Sequence, residues 1–172
     1  MARDGLRFVV PAGVITVAAV WFVLQRQVWA WPIALVALII TAFLAYFFRD
    51  PDRVPPDDHA AIVATADGTI LEVVAGPDGS TRIDTFLSVW DVHVNRAPVT
   101  GRVVDSRRRP GRFLIANKTE AGSQNERHDL VIQSDMGTIR SAQIAGILAR
   151  RIVCRPTIGD HVEKGERIGL IR

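Results

Sequence analysis

A small, mainly β domain, built as a sandwich or flattened barrel and preceded by an α-helical membrane hairpin, is the architecture this sequence predicts. Two observations carry the prediction. The first is a pair of charge-free apolar runs near the N-terminus, residues 8–24 and 28–48, separated only by Gln25-Arg26-Gln27. The second is a series of short β-branched runs, most of them closed by glycine or proline, between residues 61 and 172.

Each apolar run approaches the roughly 20 residues that a helix needs to cross a bilayer core. A cleaved signal peptide would show one shorter run and then a small-residue cleavage site, so a second run following at once argues against it. Arg3 and Arg7 precede the first run, and Arg49 and Arg53 follow the second. By the positive-inside rule both ends, and with them the rest of the chain, lie on the cytoplasmic side of the cell membrane. The short link leaves two forms open, a full crossing and a re-entrant hairpin within one leaflet. Trp21, Trp29 and Trp31 either ring the hairpin tip at the interface or pack between the helices.

With 172 residues and a net charge of +3, the chain holds one modest domain besides the hairpin. The boundaries read as a hairpin over 1–48, a linker rich in proline and charge over 49–60, and a β-rich domain over 61–172. Strands are expected at 61–65, 69–74, 83–94, 102–104, 112–116, 129–133, 138–144, 148–154 and 167–171, none of which carries a helical period. Between the last two, the segment from Ile158 to Gly169 reads as two glycine turns flanking a short strand. It resembles the hammerhead element of lipoyl and biotinyl carrier domains. Lys164 lies within the turn rather than after it, which argues against a carrier lysine.

The single cysteine, Cys154, excludes an internal disulfide, and its neighbours Ile152 and Val153 mark it as a buried structural thiol. His59, His93 and His128 are scattered and no Cys/His pair has ligand spacing, so no metal is assigned. The basic run Arg107-Arg108-Arg109-Pro110-Gly111-Arg112 reads as a loop. It is either a solvated tip or a contact for an anionic phospholipid membrane. Nucleic acid is an unsuitable partner, because the basic residues are few, lack interleaved aromatics and sit on a membrane-bound chain.

The richest stretch is residues 86–101. Read as one strand, it places Asp91, His93 and Asn95 on one face and Val92, Val94 and Arg96 on the other. His93 either belongs to a site or satisfies a buried hydrogen bond. Arg96 can share a pocket with His93 only if the chain turns or bulges before Pro98.

Several strings, in order and at consistent spacing, resemble the short membrane-anchored form of the phosphatidylserine decarboxylase family. They are Phe48-Arg49-Asp50-Pro51, Ala66-Asp67-Gly68, His93-Val94-Asn95-Arg96-Ala97-Pro98 with Gly101, Asn125-Glu126-Arg127, Gln143-Ile144-Ala145-Gly146 with Ala149-Arg150-Arg151-Ile152, and Gly159-Asp160 through Gly165 to Arg172. The resemblance implies a pyruvoyl-dependent carboxy-lyase made as a proenzyme that cuts itself between glycine and serine. A small chain from the same proenzyme then bears the covalent pyruvoyl group, which forms a Schiff base with phosphatidylserine, or with an archaeal serine lipid, and yields phosphatidylethanolamine and CO2. The cut is expected just beyond Ile171-Arg172, which makes this the large chain or a piece ending near the cut.

The resemblance assigns His93 and Asp67 to catalysis, with Asp67 acting in processing. Asn95, Arg96, Asn125, Glu126 and Arg127 become substrate-binding or supporting residues, and Arg107, Arg108 and Arg109 the membrane contact. Longer family members carry a second histidine where this chain has Arg96, so the group that activates the serine stays open. A homo-oligomer is compatible with this picture. The alternative is a non-catalytic, membrane-anchored β-sandwich module for interaction or assembly.

Overall fold

The computed structural model describes residues 1–115 and 121–172. It divides into two compact units, Met1–Pro51 and Asp52–Arg172. The first is a helical hairpin, α1 (Leu6–Leu24) and α2 (Ala30–Phe47). At 1.5 Å per residue, helices of 19 and 18 residues reach about 28 and 27 Å, close to the ~30 Å hydrocarbon core of a bilayer. Both are long and apolar enough to cross a membrane. Small residues let the helices approach: Ala19, Ala30 and Ala34 are buried between them. Thr16 Oγ1 lies 2.9 Å from both Thr41 Oγ1 and the Ala12 carbonyl oxygen, so the polar atoms of this apolar pair are satisfied internally. Val14, Val17, Leu35 and Ile39 point outward and are exposed, an apolar girdle that water would not favour. Trp21, Trp29 and Trp31 are exposed at the end where Arg26, with φ of 61°, reverses the chain.

The second unit is the expected mainly β domain, with nine strands in three curled sheets among the described residues. A hairpin pairs β1 (Thr69–Ala75) with β2 (Thr81–Phe86). A second sheet has the order β3 (Val94–Arg96), β9 (Arg167–Ile171), β7 (Ile152–Cys154). A third has the order β6 (Gly137–Ile144), β5 (Arg127–Ser134), β4 (Gly101–Arg109), β8 (His161–Val162). The last two sheets share one core: Val103, Leu130, Ile132 and Val162 from the third meet Ile168 of β9, with Ala97 and Val99 from the segment after β3. Cys154 packs against this cluster, and partial burial pushes its thiol up to about 11. Little of the thiolate is therefore present at neutral pH.

The hammerhead-like segment forms as expected. Asp160 accepts hydrogen bonds from the Thr157 amide and hydroxyl at 2.8 and 2.9 Å, which hold its carboxyl below the usual range. Glu166 closes the next turn by accepting from the Glu163 amide at 2.8 Å.

Several expectations need correction, among them a strand over residues 148–154, of which only Ile152–Cys154 form β7. Residues 83–94 are not one strand: β2 stops at Phe86, and Asp91 folds back to accept from the Ser88 amide and hydroxyl at 2.8 and 2.7 Å. A carboxylate three residues after a serine offers the backbone a local partner that competes with the ladder. Residues 107–109, expected in a loop, extend β4, pairing with β5 as far as Arg109 opposite Arg127. Residues 61–65 run extended without joining a named sheet, tied by the Val63 amide to the Pro98 oxygen and by the Arg96 amide to the Thr65 oxygen at 3.0 and 2.8 Å. Residues 112–115 make only an isolated bridge, Arg112 with Asn125, and Ala116 lies outside the described residues. A short helix, α3 (Ala121–Gln124), interrupts the β domain where the sequence offered no helical period.

Candidate functional site

β9 is the centre of the candidate site. It is hydrogen-bonded on one side to β3 and on the other to β7, with Asn95 opposite Gly169 and Cys154 beyond it. Gly169 allows this because a Cβ there would stand 2.0 Å from the Val153 oxygen and 3.0 Å from Gln143 Nε2. At its far end the Ile171 amide donates to the His93 oxygen at 3.2 Å, and Arg172 and Arg151 exchange backbone bonds at 2.8 and 2.6 Å. His93 is thus fixed beside the last residues of β9.

The His93 side chain is 4% exposed, and its Nδ1 lies 3.0 Å from the Asp91 backbone oxygen. A carbonyl oxygen only accepts, so Nδ1 carries the hydrogen of this bond. Two residues on, buried Asn95 accepts from Gln143 Nε2 at 2.7 Å. Gln143 reaches across from β6 in the other sheet, and its Nε2 also donates to the Val153 oxygen at 3.3 Å. Its Oε1 is buried without a hydrogen-bond partner among the described residues, a costly state unless a donor from outside them completes it. Sequence reasoning passed over Gln143 as a site residue. A polar residue alternating with apolar ones in a strand reads as solvent-facing, and the one available signal was its membership of the Gln-Ile-Ala-Gly string.

The β3/β9 register shifts between Asn95 and Arg96, which breaks the simple alternation that would have set Arg96 opposite to His93. Arg96 Nη1 donates to the Gly165 oxygen at 2.9 Å, bracing the second glycine turn. Asp67 lies just before β1, where Gly68, with φ of 146°, passes so close to Phe86 that a Cβ would stand 2.3 Å from its oxygen. The Asp67 carboxylate is paired with Arg53 at 2.6 Å and is partly exposed.

Asn125, Glu126 and Arg127 form a knot at the start of β5. Asn125 accepts from the Leu114 amide at 2.8 Å and donates to the Leu114 and Ala145 oxygens at 2.9 and 2.8 Å. Ala145 packs with Ile152 and Ile171, so Asn125 supports the residue that bonds His93. Asn125→Ala strands these three backbone groups, at about 1–3 kcal/mol for each that stays dry. A fall in Tm of at least about 5 °C is expected, measured by circular dichroism on the detergent-solubilised protein. Glu126 accepts from Arg108 at 2.5 Å. Arg127 pairs with buried Asp129, which Arg109 approaches from the other side at 3.2 Å. Arg107 lies 3.3 Å from Asp105. Arg107, Arg108 and Arg109 therefore each face an acid, on β4, on β5 or just before it. Between these strands, Ser106 Oγ and His128 Nε2 are 2.9 Å apart, and burial, with Arg108 nearby, lowers the His128 pKa.

A family model for phosphatidylserine decarboxylase matches residues 40–172. A phosphatidylserine decarboxylase proenzyme of Beijerinckia indica subsp. indica is 46% identical over 154 residues, covering 84% of this chain and 66% of that protein. Proenzymes of the same description from Geotalea uraniireducens and Syntrophus aciditrophicus are each 40% identical across the whole of this chain, which spans 81% and 82% of their lengths. The match includes β3, β9 and the knot that supports them, and the chain belongs to the phosphatidylserine decarboxylase family.

Proposed function

We propose that this chain is the large chain of an enzyme that decarboxylates phosphatidylserine to phosphatidylethanolamine at the cytoplasmic face of the cell membrane. In this reading a proenzyme cuts itself at a Gly-Ser bond beyond Arg172, and the small chain carries a covalent pyruvoyl group. The observation that carries it is His93, buried and hydrogen-bonded through its backbone to Ile171. The residues suit the approach of a second chain: β9 is gripped on both sides, and the open Oε1 of Gln143 can accept from a backbone amide of that chain. The relatives' description as proenzymes supports a second chain.

When present, the pyruvoyl carbonyl supplies the electron sink for the charge left as CO2 departs. His93 then holds its proton at Nε2 and delivers it to the substrate carbon, with Nδ1 locked on the Asp91 oxygen so that the ring cannot turn away. Asp67, oriented by Arg53, takes part in activating the serine during self-cleavage. Asn95 and Arg96 act as supports, one through Gln143 and the other through the Gly165 turn. Asn125, Glu126 and Arg127 brace the strand ends, and substrate binding falls to groups nearer His93.

The full-length gene product tests this by intact mass and by CO2 release from phosphatidylserine. Two chains are expected, the smaller lighter by one ammonia than a peptide beginning with serine. A single uncut chain that releases no CO2 would favour a non-catalytic module and overturn the proposal.

A further inference from the structure

The connection from β6 to β7, residues 145–151, contains a four-residue turn closed by a 2.8 Å bond from the Gly146 amide to the Ala149 oxygen. Its tip is Ile147 and Leu148, which are 53% and 75% exposed. Turns in water favour glycine, asparagine, aspartate and serine, and two large aliphatic side chains held out by a tight turn are costly there. The root of the turn is rigid, because Ala145 and Ile152 pack with Ile171, with Ala149 and Phe113 against them. Exposed Arg150 and Arg151 follow, the Arg150 guanidinium lying 4.4 Å from the centre of the Phe113 ring.

The turn adjoins the site: Arg151 exchanges backbone bonds with Arg172, and Ile171 bonds His93. An apolar tip followed directly by two cations matches the order of layers in an anionic bilayer, acyl chains inside and phosphates above. The chain also carries two helices long and apolar enough to cross a membrane, which would keep the domain within reach of lipid. Other surfaces match this chemistry less well. Arg107, Arg108 and Arg109 each face an acid. The exposed apolar face of the β1–β2 hairpin, Ile70, Val73 and Ile83, is backed by Glu72 and Asp84, both paired with Arg82.

We propose that the Gly146–Ala149 turn inserts into an anionic phospholipid bilayer, with Ile147 and Leu148 among the acyl chains and Arg150 and Arg151 at the phosphates. It forms the lipid-facing lip of the site. The lipid contact stands on these residues alone, and only its service to lipid turnover rests on the function proposed above.

The test uses the full-length protein carrying Leu148→Cys, labelled with an environment-sensitive maleimide and reconstituted in phosphatidylcholine–phosphatidylglycerol vesicles. Partly buried Cys154, its thiol pushed up to about 11, labels slowly, and the unsubstituted protein sets that background. Asp135→Cys, in the β5–β6 turn at the other end of β6, is the solvent control. A blue-shifted label at 148, quenched by doxyl groups high on the acyl chains well beyond the label at 135, is expected. A label at 148 as wet and unquenched as that at 135 overturns the proposal. So does a blue shift in detergent that grows with protein concentration, which would mean contact between copies of the chain.

In a second arm, the double substitution Ile147→Ser and Leu148→Ser is expected to raise KM for vesicle phosphatidylserine about tenfold. Turnover of dissolved short-chain phosphatidylserine and self-cleavage should be unchanged. Equal losses on both substrates would overturn the lip. If the unsubstituted protein neither cuts itself nor turns over either substrate while the label at 148 is quenched, the enzymatic reading fails and the lip survives.

Discussion

His93→Ala should lower the rate of phosphatidylserine decarboxylation by about 10²–10⁴-fold, the range by which a positioned acid or base accelerates proton transfer. The loss should fall on kcat, because the imidazole is assigned to returning a proton rather than to holding the lipid. Since the ring is buried, a truncated side chain also leaves a cavity, and His93→Gln separates the two effects by restoring bulk and a hydrogen-bonding group. Both variants should be equally slow if the proton matters, whereas recovery with glutamine would make His93 a packing residue. Intact mass, read on the same samples, reports whether self-cleavage also depends on His93. Normal turnover by His93→Ala would remove the central assignment.

Gly169→Ala should prevent the domain from folding. The added methyl would stand 2.0 Å from the Val153 oxygen, a backbone atom of the neighbouring strand, and 3.0 Å from Gln143 Nε2. Overpacking a core ordinarily costs about 1–3 kcal/mol and occasionally more, and here β7 would have to leave β9 to relieve the clash. The expected result is aggregated or proteolysed protein, checked by expression level and limited proteolysis. Gly79→Asn is the control, since Gly79 has a φ of 79° and a Cβ added there would meet nothing within 4 Å, and asparagine tolerates that conformation. A folded, protease-resistant Gly169→Ala protein would show that β7 and β9 can part without loss of the domain.

The hairpin and most strands were legible because their signals are local. Uninterrupted apolar length marks α1 and α2, and alternation closed by glycine marks β5, β6 and β9. What stayed hidden depends on partners distant in the sequence. Arg107, Arg108 and Arg109 continue β4 by pairing with residues 127–129 of β5, where their guanidinium groups also meet Glu126 and Asp129, and no local pattern distinguishes that from a basic loop. The break after Phe86 comes from the Ser88–Asp91 side-chain turn, which outweighs an otherwise continuous β-prone stretch. His93 was recognisable as a residue type and by its string, but its burial and its bond to Ile171 arise only when segments far apart in the chain meet. Gln143 was the least legible, since its place beside β3 depends on a hydrogen bond to Asn95, 48 positions earlier.

The position of β9 has a consequence for timing. β3 and β7 lie far apart in the chain and, among the described residues, enter the same sheet only through β9, the latest of the three in the sequence. Until it zips between them, His93 has no neighbour at Ile171, and closing so long a loop is among the slower steps of folding. If the bond to be cut follows Arg172, the pairing of β9 becomes the trigger for maturation, and a chain in which it fails stays an inert precursor instead of acquiring a reactive carbonyl.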